Sequence, residues 1–338
     1  MTITAKELSK KLNISAAAVS MALNNKPGVS TTTRRLILDT AEKYGYDFTR
    51  VSEKHTVTAA GSIHFIIYKK HGTVVADTPF FSSVTDGISQ ECQKQNCKLS
   101  ISYVFEDDET ITRQVEDIRY SDCIGIILLG TEMTKEDMKP FLELPIPLVL
   151  LDSYFETIPC NSVLINNVQG AFLATSYLIR KRKQQPGYLK SSYYISNFGE
   201  RSAGFYNAVR SAGLPISGSV IHTLTPSVEG AYADMLAVIE NKDELAKCYF
   251  ADNDLIAVGA MKAMKEKGYR IPDDIAVVGF DNLPISSVID PGLSTINVPK
   301  QYMGQVAVQR LMTLMNGSNL PPTKTEVSTT LIKRNSVV

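Results

Sequence analysis

Tryptophan is absent from the 338 residues, histidine occurs four times and cysteine five. The cysteines (Cys92, Cys97, Cys123, Cys160, Cys248) are odd in number and include no CxxC pair, so they specify neither a disulfide framework nor a zinc site. The histidines (His55, His64, His71, His222) are scattered, and the patterns GxxxxGKS/T, GxGxxG, HExxH and GxSxG are all missing. Phosphate-loop, dinucleotide, metalloprotease and serine-hydrolase chemistry therefore lack their usual markers. No catalytic residue, cofactor or metal is expected, and the chain is not read as an enzyme. Long apolar runs are also missing: Ile126 to Leu129 and Leu148 to Leu151 fall far short of the ~20 residues of a membrane helix. The start, MTITAKELSKKL, has no apolar signal stretch. The expectation is a cytoplasmic protein with no membrane partner.

Net charge is absent too, with 35 Lys plus Arg against 35 Asp plus Glu, which at first argues against nucleic acid. The balance is uneven along the chain. Residues 1–55 hold nine basic side chains (Lys6, Lys10, Lys11, Lys26, Arg34, Arg35, Lys43, Arg50, Lys54) and five acidic ones (Glu7, Asp39, Glu42, Asp47, Glu53), a surplus of +4 that the rest of the chain cancels. What is present, 44% hydrophobic and 21% charged residues, is the composition of a globular protein long enough for about two or three folding units.

The first 46 residues read as three short helices. Thr4 with Glu7 forms a capping box ahead of Leu8 and Leu12. Ser15 caps a second helix whose apolar face is Val19, Ala22 and Leu23, and Ser30 caps a third carrying Ile37, Ala41 and Tyr44, stopped by Gly45. Two helices around a tight turn, braced by a third, make a helix-turn-helix. Residues 47–62 are polar and aperiodic, a linker. From Ile63, strand-like runs (63–68, 98–104, 124–129, 147–152, 187–190, 219–222, 248–252, 275–281) alternate with amphipathic stretches at 85–95, 167–179, 229–239 and 255–267. That alternation predicts parallel sheets covered by helices, and about ten strands predict two similar α/β units with a ligand in the cleft between them.

On the second helix, Ala17, Ser20, Met21 and Asn24, with Ala16 at the leading edge, form a face small enough for the major groove. Ser20 and Asn24 can donate to phosphates, while Ala16, Ala17 and Met21 offer apolar contact suited to thymine methyls. The helix amino ends at Ser15 and Ser30 suit backbone phosphates, and Arg34 and Arg35 add charge nearby. The alternative is a generic three-helix packing unit with a solvated basic face.

The segment ITAKELSKKLNISAAAVSMALNNKPGVSTTTRRLILDTAEKYGY resembles the DNA-binding head of the LacI/GalR family of bacterial transcription regulators, in Val19-Ser20, Leu23-Asn24, Val29-Ser30, Arg34 and Gly45-Tyr46. The resemblance continues through Pro79-Phe80-Phe81 with Gly87, Asn167 with Gly170-Ala171 and Ala174-Thr175, and Arg201 with Gly204-Phe205. Residues 251–254, 277–281, 293–296 and 334–336 complete it, so it covers essentially the whole chain. It implies a homodimeric repressor on a near-palindromic double-stranded operator, with an α/β effector domain of periplasmic-binding-protein type under allosteric control by a sugar-like small molecule. The implied parts are a head at 1–47, a hinge at 48–62, an N-subdomain at 63–160 plus 293–321 and a C-subdomain at 161–292 plus 322–338. The implied DNA-binding set is Thr4, Ser15, Ala16, Ala17, Ser20, Met21, Asn24, Ser30, Thr33, Arg34 and Tyr46. A rival within the family is a regulator controlled by a protein co-regulator such as a phosphocarrier, with a degenerate ligand cleft.

Two segments, the recognition helix and the hinge, depart from the family pattern. Met21 stands where many members carry Arg, so readout is expected to favour A·T pairs over guanine. In the hinge, Glu53 and His55 replace the Arg and Leu whose leucine wedges into the minor groove, which predicts weaker bending or a wedge supplied by Val51 or Val57. The other reading is a hinge that orders differently. For the effector, the resemblance assigns Arg201, Asn253 and Asp281 to contacts and Phe81 to an apolar wall, with Asp152, after its strand, either a contact or a cap. Lys69, Lys70 and His71 are open to an acidic or phosphorylated effector, or are a solvated loop.

Overall fold

In the computed structural model, which describes residues 3–24, 28–47, 61–70, 75, 79–106, 108–317 and 320–338, the first three helices each start on a hydroxyl: α1 (Ala5–Leu12), α2 (Ala16–Leu23) and α3 (Thr31–Lys43). Thr4 Oγ1 accepts from the Glu7 amide at 3.3 Å while a Glu7 carboxylate oxygen accepts from the Thr4 amide at 2.8 Å, so two otherwise orphaned donors are satisfied together. Ser15 Oγ accepts from Ala18 N and Ser30 Oγ from Thr33 N, each at 3.2 Å. Leu8, Val19, Ala22, Leu23, Ile37 and Ala41 close a small core, with Leu12 and Tyr46 packed on it. Gly45, at φ +67°, takes the left-handed conformation just beyond α3 that a side chain would resist. The hinge residues Val51, Glu53 and His55 lie outside the described residues, as does His71.

Strands and helices then alternate: β1 (Ser62–Lys69), α4 (Pro79–Lys94), β2 (Lys98–Phe105), α5 (Asp108–Arg119), β3 (Cys123–Leu129), α6 (Lys139–Leu142), β4 (Leu148–Leu151), β5 (Asn161–Ile165), α7 (Asn167–Arg182), β6 (Gly187–Ser191), α8 (Ser196–Ser211), β7 (Ile221–Leu224), α9 (Val228–Glu240), β8 (Cys248–Ala251), α10 (Asp254–Glu266), β9 (Ala276–Asp281), α11 (Ile285–Val288), β10 (Ser294–Asn297), α12 (Lys300–Met315), β11 (Lys324–Val327) and β12 (Thr330–Ile332). They form two six-stranded sheets, ordered β2-β1-β3-β4-β5-β11 and β7-β6-β8-β9-β10-β12, so one wiring plan is used twice. β1 to β5 pair in parallel, as do β6 to β10, and β12 runs antiparallel to β10. Central strands such as β3 and β9 are buried on both faces, which is why they read as continuous apolar runs rather than as alternations.

The chain divides into two compact units. One comprises Met1–His71, Thr85–Val163 and Gly304–Lys324; the other Gly72–Val84, Leu164–Met303 and Thr325–Val338. Ile66, Tyr68, Ile126, Leu128, Phe141 and Leu150 are at the centre of the first unit's core. In the second, Leu189, Met235, Tyr249, Ile256, Met261 and Val277 play that part. Five parallel strands per sheet leave their carboxyl ends on one edge, and residues just past those ends are placed for ligand contact.

Candidate functional site

On the head, burial of Val19, Ala22 and Leu23 turns the opposite side of α2 outward, and Ala16, Ala17 and Ser20 are exposed. Met21 and Asn24 are half-buried at its margin. Asn24 Nδ2 folds back to donate to Ser20 O at 2.7 Å, so its amide is engaged on its own helix. Thr33 Oγ1 shares a 2.8 Å hydrogen bond with Ser30 Oγ, and Thr4 is exposed beside Glu7. Gly28 combines φ +106° with a position where a Cβ would stand 3.2 Å from the Met21 sulfur, so this turn sets how far Met21 projects.

Arg34 corrects the sequence reading. Its side chain is 1% exposed, and its guanidinium donates to Met21 O at 3.5 Å and Ala22 O at 3.4 Å. Carbonyls at the carboxyl end of α2 are the negative pole of that helix, and Arg34 braces α3 against them instead of adding charge to the outer face. Arg35, half-exposed one residue on, carries the surface charge that the sequence ascribed to both.

In the second unit, four elements converge on a buried polar group. α8 begins at Ser196, and Arg201 lies in its second turn. The N-cap is Ile195, which has no side chain able to cap, so the sequence carries no start signal there. Arg201 Nε donates to Asn167 Oδ1 at 3.0 Å, one terminal nitrogen to Asp252 O at 2.5 Å and the other to Asp281 Oδ1 at 3.1 Å. Its guanidinium lies 3.8 Å from the centre of the Phe280 ring. Asn167, the first residue of α7, is itself held by donating to Glu200 Oε2 at 2.9 Å. Asn253 caps α10, its Oδ1 accepting from Ile256 N at 2.9 Å.

Asp281 ends β9 at φ +104° and Asn282 follows at φ +49°, two successive left-handed residues without glycine. The turn is fastened from several sides. Leu283 N donates to Asp254 Oδ2 at 2.7 Å, Thr295 Oγ1 to Asp254 Oδ1 at 2.5 Å, and Arg334 to Asn282 Oδ1 at 2.8 Å. Lys300, the first residue of α12, aims its ammonium at the carbonyls of Asp281, Asn282 and Val298. Burial, with the charge of Asp281 adding to it, pushes the Asp254 carboxyl up to about 8. Burial lifts Asp252 to about 6, raises Asp281 and lowers Lys300. Asp252, Asp254 and Lys300 were not singled out from the sequence as site residues. The run Ala251-Asp252-Asn253-Asp254 does not show which acids turn inward, and Lys300 is far from it along the chain.

Asp152 lies in the first unit, just past β4, buried at φ +61° and accepting from Thr131 Oγ1 at 2.7 Å. Phe81, on the first turn of α4, is 9% exposed and packs edge-on against Phe80 at 5.1 Å. Lys70 is paired with Glu106 and lies 3.9 Å from Asp137, and Lys69 covers the Tyr103 ring. Among the described residues no group of His, Cys, Asp and Glu has the arrangement of a metal site, and no helix is long and apolar enough to cross a membrane.

Residues 176–337 match the model of the periplasmic binding protein-like domain. The whole chain is similar to the HTH-type transcriptional regulator GalS of Salmonella typhimurium, at 28% identity over 99% of this chain and 96% of that protein. Among solved structures, the cellobiose complex of the transcriptional regulator CelR aligns at TM-score 0.73 and 19% identity, and the lac repressor dimer bound to operator at 0.69 and 21%, each over 99% of both chains. The reused sheet plan, the three-helix head and these similarities agree: over its whole length the chain is similar to helix-turn-helix transcriptional regulators of the LacI/GalR kind.

Proposed function

We propose that the protein is an operator-binding repressor, acting as a homodimer, whose DNA affinity is set by a small-molecule effector of sugar type. The observation that carries this reading is the joint presence of a helix-turn-helix whose exposed face is Ala16-Ala17-Ser20 and a buried Arg201–Asp281 pair at the carboxyl end of β9. Asn253 and Phe81, in the same unit as that pair, are assigned to the effector, and Ser15, Ser30, Thr4, Thr33 and Tyr46 to positioning on phosphates. Arg34 acts through α2 rather than on DNA. The dimer is supported by the edge strand β2, which exposes Ile101, Tyr103 and Phe105 along alternate positions. Such a stripe on an open edge calls for a cover.

An effector that binds one state of the repressor better than another shifts the population toward it, and a coupling of ~1–3 kcal/mol changes operator affinity ~5- to 150-fold. The test is operator binding at one fixed salt concentration across a sugar library. A sugar that changes affinity in that range, with the change lost in Asp281→Ala, supports the reading. No response to any sugar, with a phosphocarrier co-purifying and altering operator affinity, would replace it by the protein-controlled alternative.

A further inference from the structure

We infer that the head has a docked state, in which α3 rests on the corner where α5 passes into β3, and that this state competes with operator for Arg35. The inference rests on the operator-binding part of the function proposed above and involves no effector.

Head and corner belong to the same compact unit. With Arg34 buried, Arg35 is the cation that α3 presents outward near its amino end. Its guanidinium donates to Glu116 Oε2 of α5 at 3.3 Å and lies 5.2 Å from the centre of the Tyr120 ring, within reach of a cation–π contact. Tyr120 closes the arrangement by donating its hydroxyl to Asp39 Oδ1 at 2.6 Å, and Asp39 in turn lies 3.9 Å from Arg35. Two side chains of the head are thus interlocked with two of the body. That hydrogen bond, more than burial, pushes the Tyr120 phenol up to about 12. Asp122, two residues on, favours the Arg34 cation by its charge, against the burial that lowers it. The same residue fastens the start of β1, its main-chain carbonyl accepting from Ser62 N at 3.1 Å and its carboxylate from Ser62 Oγ at 2.7 Å.

Each contact across this junction is weak. Arg35, Asp39 and Glu116 keep about half of their side-chain surface exposed, and exposed pairs of this kind hold little by themselves. Residues 48–60, however, tether the head to this corner, and contacts too weak to join separate molecules suffice at the effective concentration of one chain. The result is a contact that opens and closes. Arg35 is also the group for which DNA competes: a phosphate approaching it meets Glu116 and Asp39 already on the guanidinium, and both carboxylates repel it. Operator therefore binds heads that have let go, and the share of docked heads lowers the apparent affinity in proportion. Ala16, Ala17 and Ser20 of α2 are exposed in the docked head, so docking acts on affinity and not on base preference.

The test uses the full-length protein and a duplex enriched by the unaltered protein from a random-sequence library. Glu116→Gln and Tyr120→Phe, both on the body, are each expected to tighten that duplex about two- to fivefold with unchanged base preference. Asp117→Asn removes the same charge from the next position of α5, which faces elsewhere on the helix, and is expected to change affinity less than Glu116→Gln. In an Arg35→Gln background, Glu116→Gln is expected to give no gain. Docking itself is read in Arg35→Lys, where a carbodiimide condenses the new amine with the Glu116 carboxylate to an amide and takes up the water as a urea. The cross-linked peptide is expected by mass spectrometry, its yield dropping as duplex is added. An absent cross-link, a yield indifferent to duplex, no tightening by either body variant, equal tightening by Asp117→Asn and Glu116→Gln, or a full gain without Arg35 would each overturn the inference. If no duplex is enriched, the operator-binding reading falls on its own, and competition for Arg35 falls with it, while the cross-link still decides whether the head docks.

Discussion

Asp254 occupies the first position of α10 with both carboxylate oxygens taken, by Leu283 N and Thr295 Oγ1, inside a fully buried setting that also holds Asp281 and Lys300. Its folded pKa, about 8, lies above its ordinary value, so folding favours the protonated acid. The stability this contributes is complete below the pKa of the unfolded chain and is lost as pH rises through about 8. Urea resistance of the second unit, followed by amide exchange in α9 and α10, is therefore expected to fall between pH 5 and pH 9. Asp254→Asn, which imitates the protonated form, is expected to flatten that fall. At the opposite pole of function, Met21→Arg should add a guanine preference of about 1–3 kcal/mol opposite that position, read by competition among operator variants. An unchanged base preference would refute the assignment of Met21 to base contact. Asp281 was legible because a carboxylate directly after an apolar run stands out, and Arg201 only through the family resemblance. Arg34 misled because a basic residue beside a DNA-facing helix reads the same whether it points outward or braces the neighbouring helix.

Helices α7 and α8 pack so closely that a Cβ on Gly204 would stand 2.8 Å from Ala171 Cβ and meet the Val168 carbonyl; Gly259 repeats this on α10, against Ala231 and Val228. Gly204→Ala is accordingly expected to cost about 1–3 kcal/mol in urea unfolding, because backbone on the facing helix cannot yield as a side chain can. Helices α7, α9 and α10 announced themselves by their amphipathic period, and the structure shows Asn166, Ser227 and Asn253 capping them. Other elements did not. α8 lacks a capping side chain, and β5, β11 and β12 are three to five residues long, too short for a period to emerge. In β11, the sequence KTEV looks like a polar loop because the strand lies at the sheet border. Sheet class was therefore readable from the central strands and strand count was not.

For the whole molecule, a surplus of +4 on residues 1–55 is balanced by the remainder, so the two activities should answer differently to salt. Operator affinity is expected to fall steeply and linearly on a log–log plot as salt rises, since cations released from phosphates drive binding. Affinity for an uncharged effector should barely move over the same range. Isothermal titrations at 50 and 200 mM salt separate the two, and equal slopes would contradict the division of labour.

The last strands of the two sheets come from one short stretch: β11 borders β5, with Ser162 N donating to Thr323 O at 2.9 Å, and β12 borders β10 a few residues later. During synthesis, then, neither sheet can be completed until residues 324–332 have left the ribosome, and until that moment β5 and β10 stand as open edges. Order of emergence makes the two halves finish together rather than one after the other. A chain stopped at residue 323 would carry the complete head and nearly all of the body, yet would leave both sheets unfinished at once. Such a chain is expected to be recovered from cells as aggregate, with neither half independently folded in the soluble fraction.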